Sequence, residues 1–369
     1  MKVTEIRAYS DFLNLQDDWE RFLKGCHHTI FSTWTWLSTW WKFYGEKRRL
    51  LILLAKDDDN IVGIAPLMYS VEKMFGLHMG RISFIGTPHA DYNDFIIRDK
   101  KEECIKLFIY YLKSIPENWH CIELNDIPEN TETLSILSKT TRNLKLIHPS
   151  PYTNLPESYE KFLRGPNGKK RFTDVDRHFK ALQKIFKVEV LDCSNPESVD
   201  EGMRSLFELH QSRWMSKGLS GAFVSSTFQS FHLAIARSFA EKGWLGLFLL
   251  KLSGNPVAAL YGFTYNSKYY LYLTGFNPKY AKYGVGSMLI TSVIRESINK
   301  GLTEFDFMRG DEAYKTRWAS STRWNRNIII TQTNSLVRAQ YWILRKFWNR
   351  GKELKSLLRI QQKKLSHKT

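Results

Sequence analysis

One pattern of predicted strands occurs twice in this chain. Residues 50–69 read LLILLAKDDDNIVGIAPLMY, which predicts a strand, a polar turn and a second strand. Residues 245–264, LGLFLLKLSGNPVAALYGFT, have the same form with the turn at Ser-Gly-Asn-Pro. Before each hairpin the sequence predicts a tryptophan-containing helix closed by a glycine, at Gly45 and at Gly218, and after each hairpin a further strand. Two copies of helix, hairpin, strand and helix predict two similar α/β domains.

The composition agrees with two folded domains. The chain has 369 residues, of which 43% are hydrophobic, enough for a large core in each domain. The longest apolar runs, such as residues 50–55, have the length of a strand and are too short to cross a bilayer. The first twelve residues lack the apolar segment of a signal peptide, and the four cysteines form no CxxC pair. The sequence therefore predicts a soluble cytoplasmic protein without disulfides.

The net charge of +17 is concentrated in two segments. Residues 161–187 contain nine Lys and Arg, and residues 336–369 contain ten against a single acid, Glu353. The second segment also has apolar residues at helical spacing, which predicts a basic amphipathic tail helix: Val337, Tyr341, Leu344 and Trp348. Such a helix either attaches the protein peripherally to the inner, anionic face of a membrane or packs on the protein's own core. Both segments also suit nucleotide phosphates or nucleic acid.

A glycine-containing turn lies between a predicted strand and a predicted helix of the second copy. The strand ends near residue 277, and the helical pattern continues to Gly301. A turn at this position presents unpaired backbone N–H groups and the positive end of a helix dipole, a combination that binds phosphate. An ordinary loop before a helix has the same appearance. The spacing differs from the G-x-G-x-x-G and Walker patterns, which argues against dinucleotide and ATP sites of those types.

Several segments of the chain together resemble the GNAT superfamily. The resemblance is closest to its CelD-like, tandem-GNAT branch, which is related to the Fem-type peptidoglycan aminoacyltransferases. The segments that carry it are LHQSRW (209–214), GAF (221–223), FH (231–232), LTGFNPKYAKYGVGSMLI (273–290), FDFMRGDEAYKTRW (305–318) and, in the first copy, FIGTPHADYNDFII (84–97). It covers residues 155–330 well.

The resemblance implies an α/β fold of two tandem GNAT-like domains with mixed sheets. The expected domains are residues 1–150 and 151–335, followed by the basic helical tail at 336–369. It also implies acyl transfer from a thioester, with acyl-CoA as the co-substrate. The CoA pyrophosphate is expected on the glycine turn, at Lys282, Tyr283, Gly284, Val285, Gly286 and Ser287. The chain departs from the general GNAT pattern at Ala281, where Gln or Arg is usual.

The chemistry implied by the resemblance gives roles to the polar cluster after the last predicted strand. Asp311 is the candidate base or amine anchor, and Lys315 the candidate to hold negative charge on the acceptor or intermediate. Tyr314 is the candidate acid for the thiolate leaving group. The alternative for Asp311 and Lys315 is an ion pair, with each other or with Arg309, that stabilises the loop, and the alternative for Tyr314 is packing.

Further candidates bind the substrate. His210, Arg213 and Trp214 are spaced to share one helix face, which either lines the acceptor pocket or belongs to the core. Arg309 in the second copy, and Asp91 and Tyr92 in the first, complete the list. The first copy lacks the glycine turn, so we expect it to form a wall of the substrate site without binding CoA. No histidine has metal-ligand spacing, so no metal is expected.

The sequence thus predicts an N-acyltransferase acting on an amine or similar group. The expected acceptor is a small molecule such as a sugar or sugar nucleotide, or a cell-envelope precursor. Two alternatives stay open at this point. One is a Fem-type transferase that takes aminoacyl-tRNA as donor, with tRNA as a partner. The other is a non-catalytic membrane- or nucleic-acid-binding protein on a degenerate GNAT scaffold.

Overall fold

The computed structural model describes residues 1–74, 77–140, 144–165 and 168–332, together with 339, 341 and 343. The chain divides into two compact units, residues 1–147 with 324–369, and residues 148–323. The sequence placed these divisions after residues 150 and 335. The second division differs because the strand that contains residues 324–331 pairs within the first unit.

The first unit is a sheet with helices. Its strands are β1 Lys2–Ile6, β2 Arg48–Asp57, β3 Asn60–Met74, β4 Leu77–Phe84, β5 Ile96–Ile97 and β6 Cys121–Pro128. Its helices are α1 Tyr9–Asn14, α2 Gln16–Leu23, α3 Trp34–Tyr44, α4 Lys101–Ser114 and α5 Glu132–Thr140.

The second unit repeats this alternation of elements. Its strands are β7 Leu144–Asn154, which begins in the first unit, β8 Val188–Asp192, β9 Leu245–Leu252, β10 Asn255–Tyr265, β11 Lys268–Phe276 and β12 Glu304–Asp306; the next strand, β13 Ser321–Thr331, continues into the first unit. Its helices are α6 Tyr159–Arg164, α7 Gly168–Gln183, α8 Val199–Met215, α9 Ser226–Glu241, α10 Val285–Asn299 and α11 Ala313–Trp318.

The two units share one strand topology. The order is β1-β2-β3-β4-β6-β13 in the first unit, with β5 paired to β3, and β8-β9-β10-β11-β12-β7 in the second. In each unit the fourth and fifth strands are parallel and the other neighbours antiparallel, so the strand pairing is mixed in both. The sixth strand of the first unit, β13, comes from outside its main run of sequence. The predicted fold class, a mixed α/β fold with two similar copies, is confirmed.

Both predicted hairpins form. In the second, Ser253 and Gly254 have φ of 47° and 85°, which is the type I′ turn that matches the twist of paired strands. In the first, the turn residue Asp58 has φ of 52°, a left-handed conformation that Asp tolerates better than most residues. The flanking strands are largely buried, because apolar runs face the core on both sides of the sheet.

The helix of the second copy that corresponds to α3 is not the predicted one. Helix α3 follows a 3₁₀ turn at Ile30–Ser32, and the Thr33 side chain caps it by accepting from the Trp36 N–H. Helix α9 likewise follows a 3₁₀ turn, at Ala222–Val224, and is capped by Ser225. The helix directly before the second hairpin is therefore α9 and not the one that ends near Gly218, which is α8. The Ser225 cap was the sequence signal for this additional helix.

The tail prediction falls mostly outside the described residues. Of the four residues in the predicted stripe, the structure describes Tyr341, which is helical and 7% exposed. It packs in a cluster with Met79, Cys121 and Ile329 of the first unit. At this residue the stripe contacts the protein's own core.

Candidate functional site

A cavity of about 190 Å³ lies in the second unit, where β11 ends and α10 begins. Its walls come from β10, β11, the turn before α10, the first turns of α10, and one residue each of α8 and α11: Ala259, Leu260, Thr274, Gly275, Phe276, Ala281, Gly284, Val285, Gly286, Ser287, Leu289, Ile290, Arg213 and Tyr314. Four of the six residues predicted for the donor site, residues 284–287, lie in this wall. Lys282 and Tyr283 do not, and the Lys282 ammonium lies 5.0 Å from the centre of the Tyr283 ring.

The backbone at Gly284 explains why a glycine stands before α10. A 3₁₀ turn at Pro278–Tyr283 ends there, and the next residue begins the helix, so the chain reverses at a single residue with φ of 68°. Glycine adopts this left-handed conformation at little cost. The first intrahelical donor is the Met288 N–H, which binds the Gly284 carbonyl at 3.0 Å, and no side chain caps the helix at Gly284. The N–H groups of residues 285–287 and the helix dipole are features that favour an anion at this wall.

Arg213 and Tyr314 also line the cavity, where they contribute a positive charge and a phenol. The Arg213 Nη1 donates to Thr274 Oγ1 at 2.8 Å, and the guanidinium lies 5.1 Å from the Phe276 ring and 5.8 Å from the Tyr314 ring. Within the part of the chain that the structure describes, no carboxylate pairs with Arg213. Its positive charge is thus held beside the cavity by an alcohol and two aromatic faces.

Tyr314 stays protonated at neutral pH. Burial raises the pKa of Tyr314 well above its ordinary value, and the charge of Glu312 acts in the same direction. The positive charge of Arg213 and a hydrogen bond with the Thr274 side chain oppose this pKa shift but are smaller. The phenol can therefore donate a proton inside the cavity at physiological pH.

A glycine in β11 sets how closely helix α8 approaches. A Cβ at Gly275 would lie 2.4 Å from the His210 backbone nitrogen and 2.8 Å from the Leu209 carbonyl carbon, so the helix backbone packs directly on the strand. This close packing brings Arg213, one turn further along α8, to the cavity wall.

The three predicted substrate residues of α8 divide between wall and core. Arg213 lines the cavity, whereas His210 and Trp214 do not. His210 is 3% exposed, and its Nε2 accepts from the Trp214 indole N–H at 3.0 Å. Burial, together with the nearby Arg213 charge, lowers the pKa of His210 to about 4, so its imidazole is neutral. His210 and Trp214 support the helix that carries Arg213.

The loop after β12 is closed by a buried lysine. Gly310 turns the chain with φ of 136°. Lys315 is 5% exposed, and its Nζ donates to the Arg309 carbonyl at 2.5 Å and lies 3.1 Å from Glu312 Oε2. Asp311 is exposed. The alternative of an ion pair between Asp311 and Lys315 is not what the structure has, because the lysine pairs with Glu312, the residue just before α11 begins. The catalytic roles expected of Asp311 and Lys315 stay predictions.

The end of β12 is anchored by a buried acid. Asp306 is fully buried, its Oδ1 accepts from the Met308 N–H at 2.8 Å, and its Oδ2 lies 3.8 Å from Arg323 Nη1. Met308 has φ of 62°, an uncommon conformation for a residue with a long side chain, and the Asp306 hydrogen bond fixes it. The loop that leads to Tyr314 therefore starts from a rigid point.

The two candidates of the first copy lie in the first unit and are buried there. The Asp91 carbonyl accepts from the Asn325 side-chain amide at 2.7 Å, and the Tyr92 ring packs 6.3 Å from the Phe31 ring. These contacts give both residues a place in the packing of that unit. Their proposed role in substrate binding stays a prediction.

The part of the chain that contains the cavity matches a known protein family. Residues 169–316 match the family model of an acetyltransferase (GNAT) domain, and every residue of the cavity wall falls in this range. Residues 169–316 are a GNAT acetyltransferase domain. This GNAT domain is that of an N-acyltransferase. A search of curated proteins finds no match to the chain.

Solved structures share the fold over most of the chain. The structure of FemX has 13% sequence identity and a TM-score of 0.65, covering 92% of this chain and 99% of that one. L-PGS from Bacillus licheniformis has 13% identity and a TM-score of 0.53, with coverages of 89% and 95%. The C-terminal domain of a putative lysylphosphatidylglycerol synthetase from Agrobacterium fabrum has 9% identity and a TM-score of 0.54, with coverages of 91% and 96%. At these identities the likeness concerns the fold.

Sequence reasoning missed three residues of the site around the GNAT cavity. Thr274 and Phe276, which contact the Arg213 guanidinium, could have been found because residues on either side of Gly275 in a strand point to the same face. Glu312 could have been found from its three-residue spacing from Lys315, which suits an ion pair.

In the described part of the chain, no group of three or more His, Cys, Asp and Glu is arranged to hold a metal ion, and no helix is long and apolar enough to span a membrane. All four cysteines are free thiols.

Proposed function

We propose that the GNAT domain binds acyl-CoA in the cavity at Gly284 and transfers the acyl group to an amine. The observation that carries this proposal is the cavity wall, where the N–H groups at the start of α10 face a protonated tyrosine, Tyr314, and an arginine, Arg213. Among the described residues no carboxylate pairs with this arginine. The N–H groups of residues 285–287 would bind the pyrophosphate, as fits their direction and the helix dipole. The thioester end would lie toward Arg213 and Tyr314.

The transfer needs one proton donor and one cation in this cavity. The amine attacks the thioester carbonyl carbon, so that a C–N bond forms and the C–S bond breaks. Tyr314 gives its phenolic proton to the departing thiolate, and the proton released by the amine restores the phenol. The positive charge of Arg213 would stabilise the oxyanion that develops on the carbonyl oxygen. Lys315 takes no part in this scheme, since its ammonium is occupied in closing the loop.

The acceptor we propose is an amine of a sugar, sugar nucleotide or cell-envelope precursor. This proposal follows the resemblance to the CelD-like branch, since the fold by itself does not specify an acceptor. Asp311, which is exposed in the same loop as Tyr314, stays our candidate to orient the acceptor amine.

A thiol-release assay tests the proposed reaction. Acetyl-CoA is incubated with the protein and a panel of amino sugars, and free CoA is measured with a thiol reagent. We expect acceptor-dependent release that is lost in Tyr314→Phe. A parallel arm with charged tRNA measures aminoacyl transfer. Transfer from tRNA without release from acetyl-CoA would overturn the proposed donor, and inactivity in both arms with no stabilisation by CoA would support a binding protein on this scaffold.

A further inference from the structure

A second cavity, of about 280 Å³, lies in the first unit at the beginning of helices α4 and α5. Three buried apolar side chains, Phe95, Ile97 and Ile105, form part of its lining. Its polar lining includes Asp94 and Thr133. No residue of this lining belongs to the GNAT domain.

The duplication explains why a cavity occurs at this position. Helix α4 follows β4 and the short strand β5, as α10 follows β11, and α5 follows β6 as α11 follows β12. The donor cavity is lined by the start of α10 and by the second residue of α11, Tyr314. The second cavity is lined by the first residue of α4, Lys101, and by the second residue of α5, Thr133. The two cavities therefore share the beginnings of corresponding helices, but the glycine turn and the tyrosine are replaced in the second, which favours a different ligand.

Its charge is the reverse of that of the donor cavity. Asp94 Oδ1 accepts from the Phe95 N–H at 2.8 Å, and across the described ranges no cation lies within ion-pair distance of its carboxylate. The Lys101 ammonium, the positive group of α4 that faces the cavity, pairs with Glu132 at 2.7 Å. With Asp94 ionised the acids exceed this lysine by one charge, although the whole chain carries +17.

The carboxyl group of Asp94 has a raised pKa, which a bound cation would lower. Burial raises the pKa of Asp94 to about 7, and the charge of Glu132 adds to that effect. Hydrogen bonds from the Thr133 side chain and the Phe95 N–H, together with the charge of Lys101, lower this pKa by less than burial raises it. A cation placed against the carboxylate would offset the cost of ionising it in this half-buried position.

We propose that this cavity binds a small molecule through a protonated primary amine. The ammonium group lies against the Asp94 carboxylate, and a short alkyl stem packs on Phe95, Ile97 and Ile105. The proposal does not depend on the acyl-transfer reaction, since no group of the donor cavity takes part.

Binding of n-butylamine, measured by calorimetry at pH 6 and pH 8, tests this site. The probe is a cation at both values, so the change in affinity reports the ionisation of Asp94. With a carboxyl pKa of about 7, we expect affinity to rise about tenfold from pH 6 to pH 8. The neutral isostere 1-butanol should bind weakly and without pH dependence.

Variants separate Asp94 from its neighbours. Asp94→Asn, which keeps the shape of the side chain, should abolish binding, while Asp99→Asn, an exposed acid nearby, should leave it unchanged. His27 also lines the cavity, so His27→Gln serves as a control and should retain the tenfold change. Thr133→Val, which removes a hydrogen bond to the carboxylate, should shift the midpoint of the pH dependence upward even if Asp94→Asn fails to fold.

The proposal is overturned by either of two results. One is equal binding of n-butylamine to Asp94→Asn and to the unaltered protein. The other is no binding at pH 8 at concentrations up to about 100 mM, where even a site with a Kd of about 1 mM would be detected. Neither result bears on thiol release from acetyl-CoA, so this proposal and the proposed function can fail separately.

Discussion

Replacing Gly286 by a larger residue should block the proposed donor site and keep the fold. A Cβ at this position would have its nearest neighbour at 3.9 Å, the Phe276 Cδ1, which is an ordinary contact. Since Gly286 and Phe276 both line the cavity, the rest of a larger side chain would extend into the space proposed for the donor. In Gly286→Leu the stability of the helix should increase, because leucine is a better helix former than glycine by up to about 1 kcal/mol.

The magnitude of the expected effect follows from mass action. At 100 times its Kd, CoA should stabilise the unaltered protein by about 2.7 kcal/mol. For a unit of this size that corresponds to a rise in Tm of about 5–11 °C. In Gly286→Leu this increment should disappear, while the Tm without ligand stays the same or rises.

Differential scanning fluorimetry with and without CoA measures both quantities. The matched control is Asn299→Leu, which adds the same side chain at an exposed position near the end of α10 and should retain the full increment. An undiminished CoA increment in Gly286→Leu would refute the assignment of the cavity, and a large fall in the ligand-free Tm would refute the steric argument.

Three further predictions concern the walls of the site. Tyr314→Phe should lower turnover by about 10²- to 10⁴-fold and leave the CoA-induced rise in Tm intact, because it removes only the proton donor; an unchanged kcat would exclude Tyr314 as the acid. Gly275→Ala should lower the free energy of unfolding by about 1–3 kcal/mol in urea titrations, since the new Cβ would meet the α8 backbone at 2.4 Å, and an unchanged midpoint would show that α8 moves freely. His210, with its pKa lowered to about 4, binds a proton more readily in the unfolded chain, so its stabilising effect is full above about pH 6.5 and is lost as the pH falls toward 4. The loss should be about 3 kcal/mol and should be missing in His210→Gln, and identical pH profiles for the two proteins would contradict the assignment.

The sequence predicted what depends on local patterns. Strand-length apolar runs with a Ser-Gly turn specify the second hairpin without reference to the rest of the chain. A glycine between a strand and an apolar helical pattern likewise specifies the turn at Gly284, and with it the place of the cavity.

What the sequence did not predict depends on contacts between distant segments. Residues 324–331 belong to the first unit because β13 pairs with β6, about two hundred residues earlier in the chain, and no local signal encodes that pairing. From the sequence, Asp311 was the alternative ion-pair partner of Lys315 because the two side chains have opposite charges. The start of α11 at Ala313, which sets the face of each side chain, favours Glu312 instead.

The most direct test of the central claim is a crystal structure of the protein with CoA. The account predicts the pyrophosphate within hydrogen-bond distance of the backbone N–H groups of Val285, Gly286 and Ser287, with the pantetheine thiol toward Tyr314. CoA bound at any other place on the chain, with the Gly284 cavity unoccupied by it, would contradict the account.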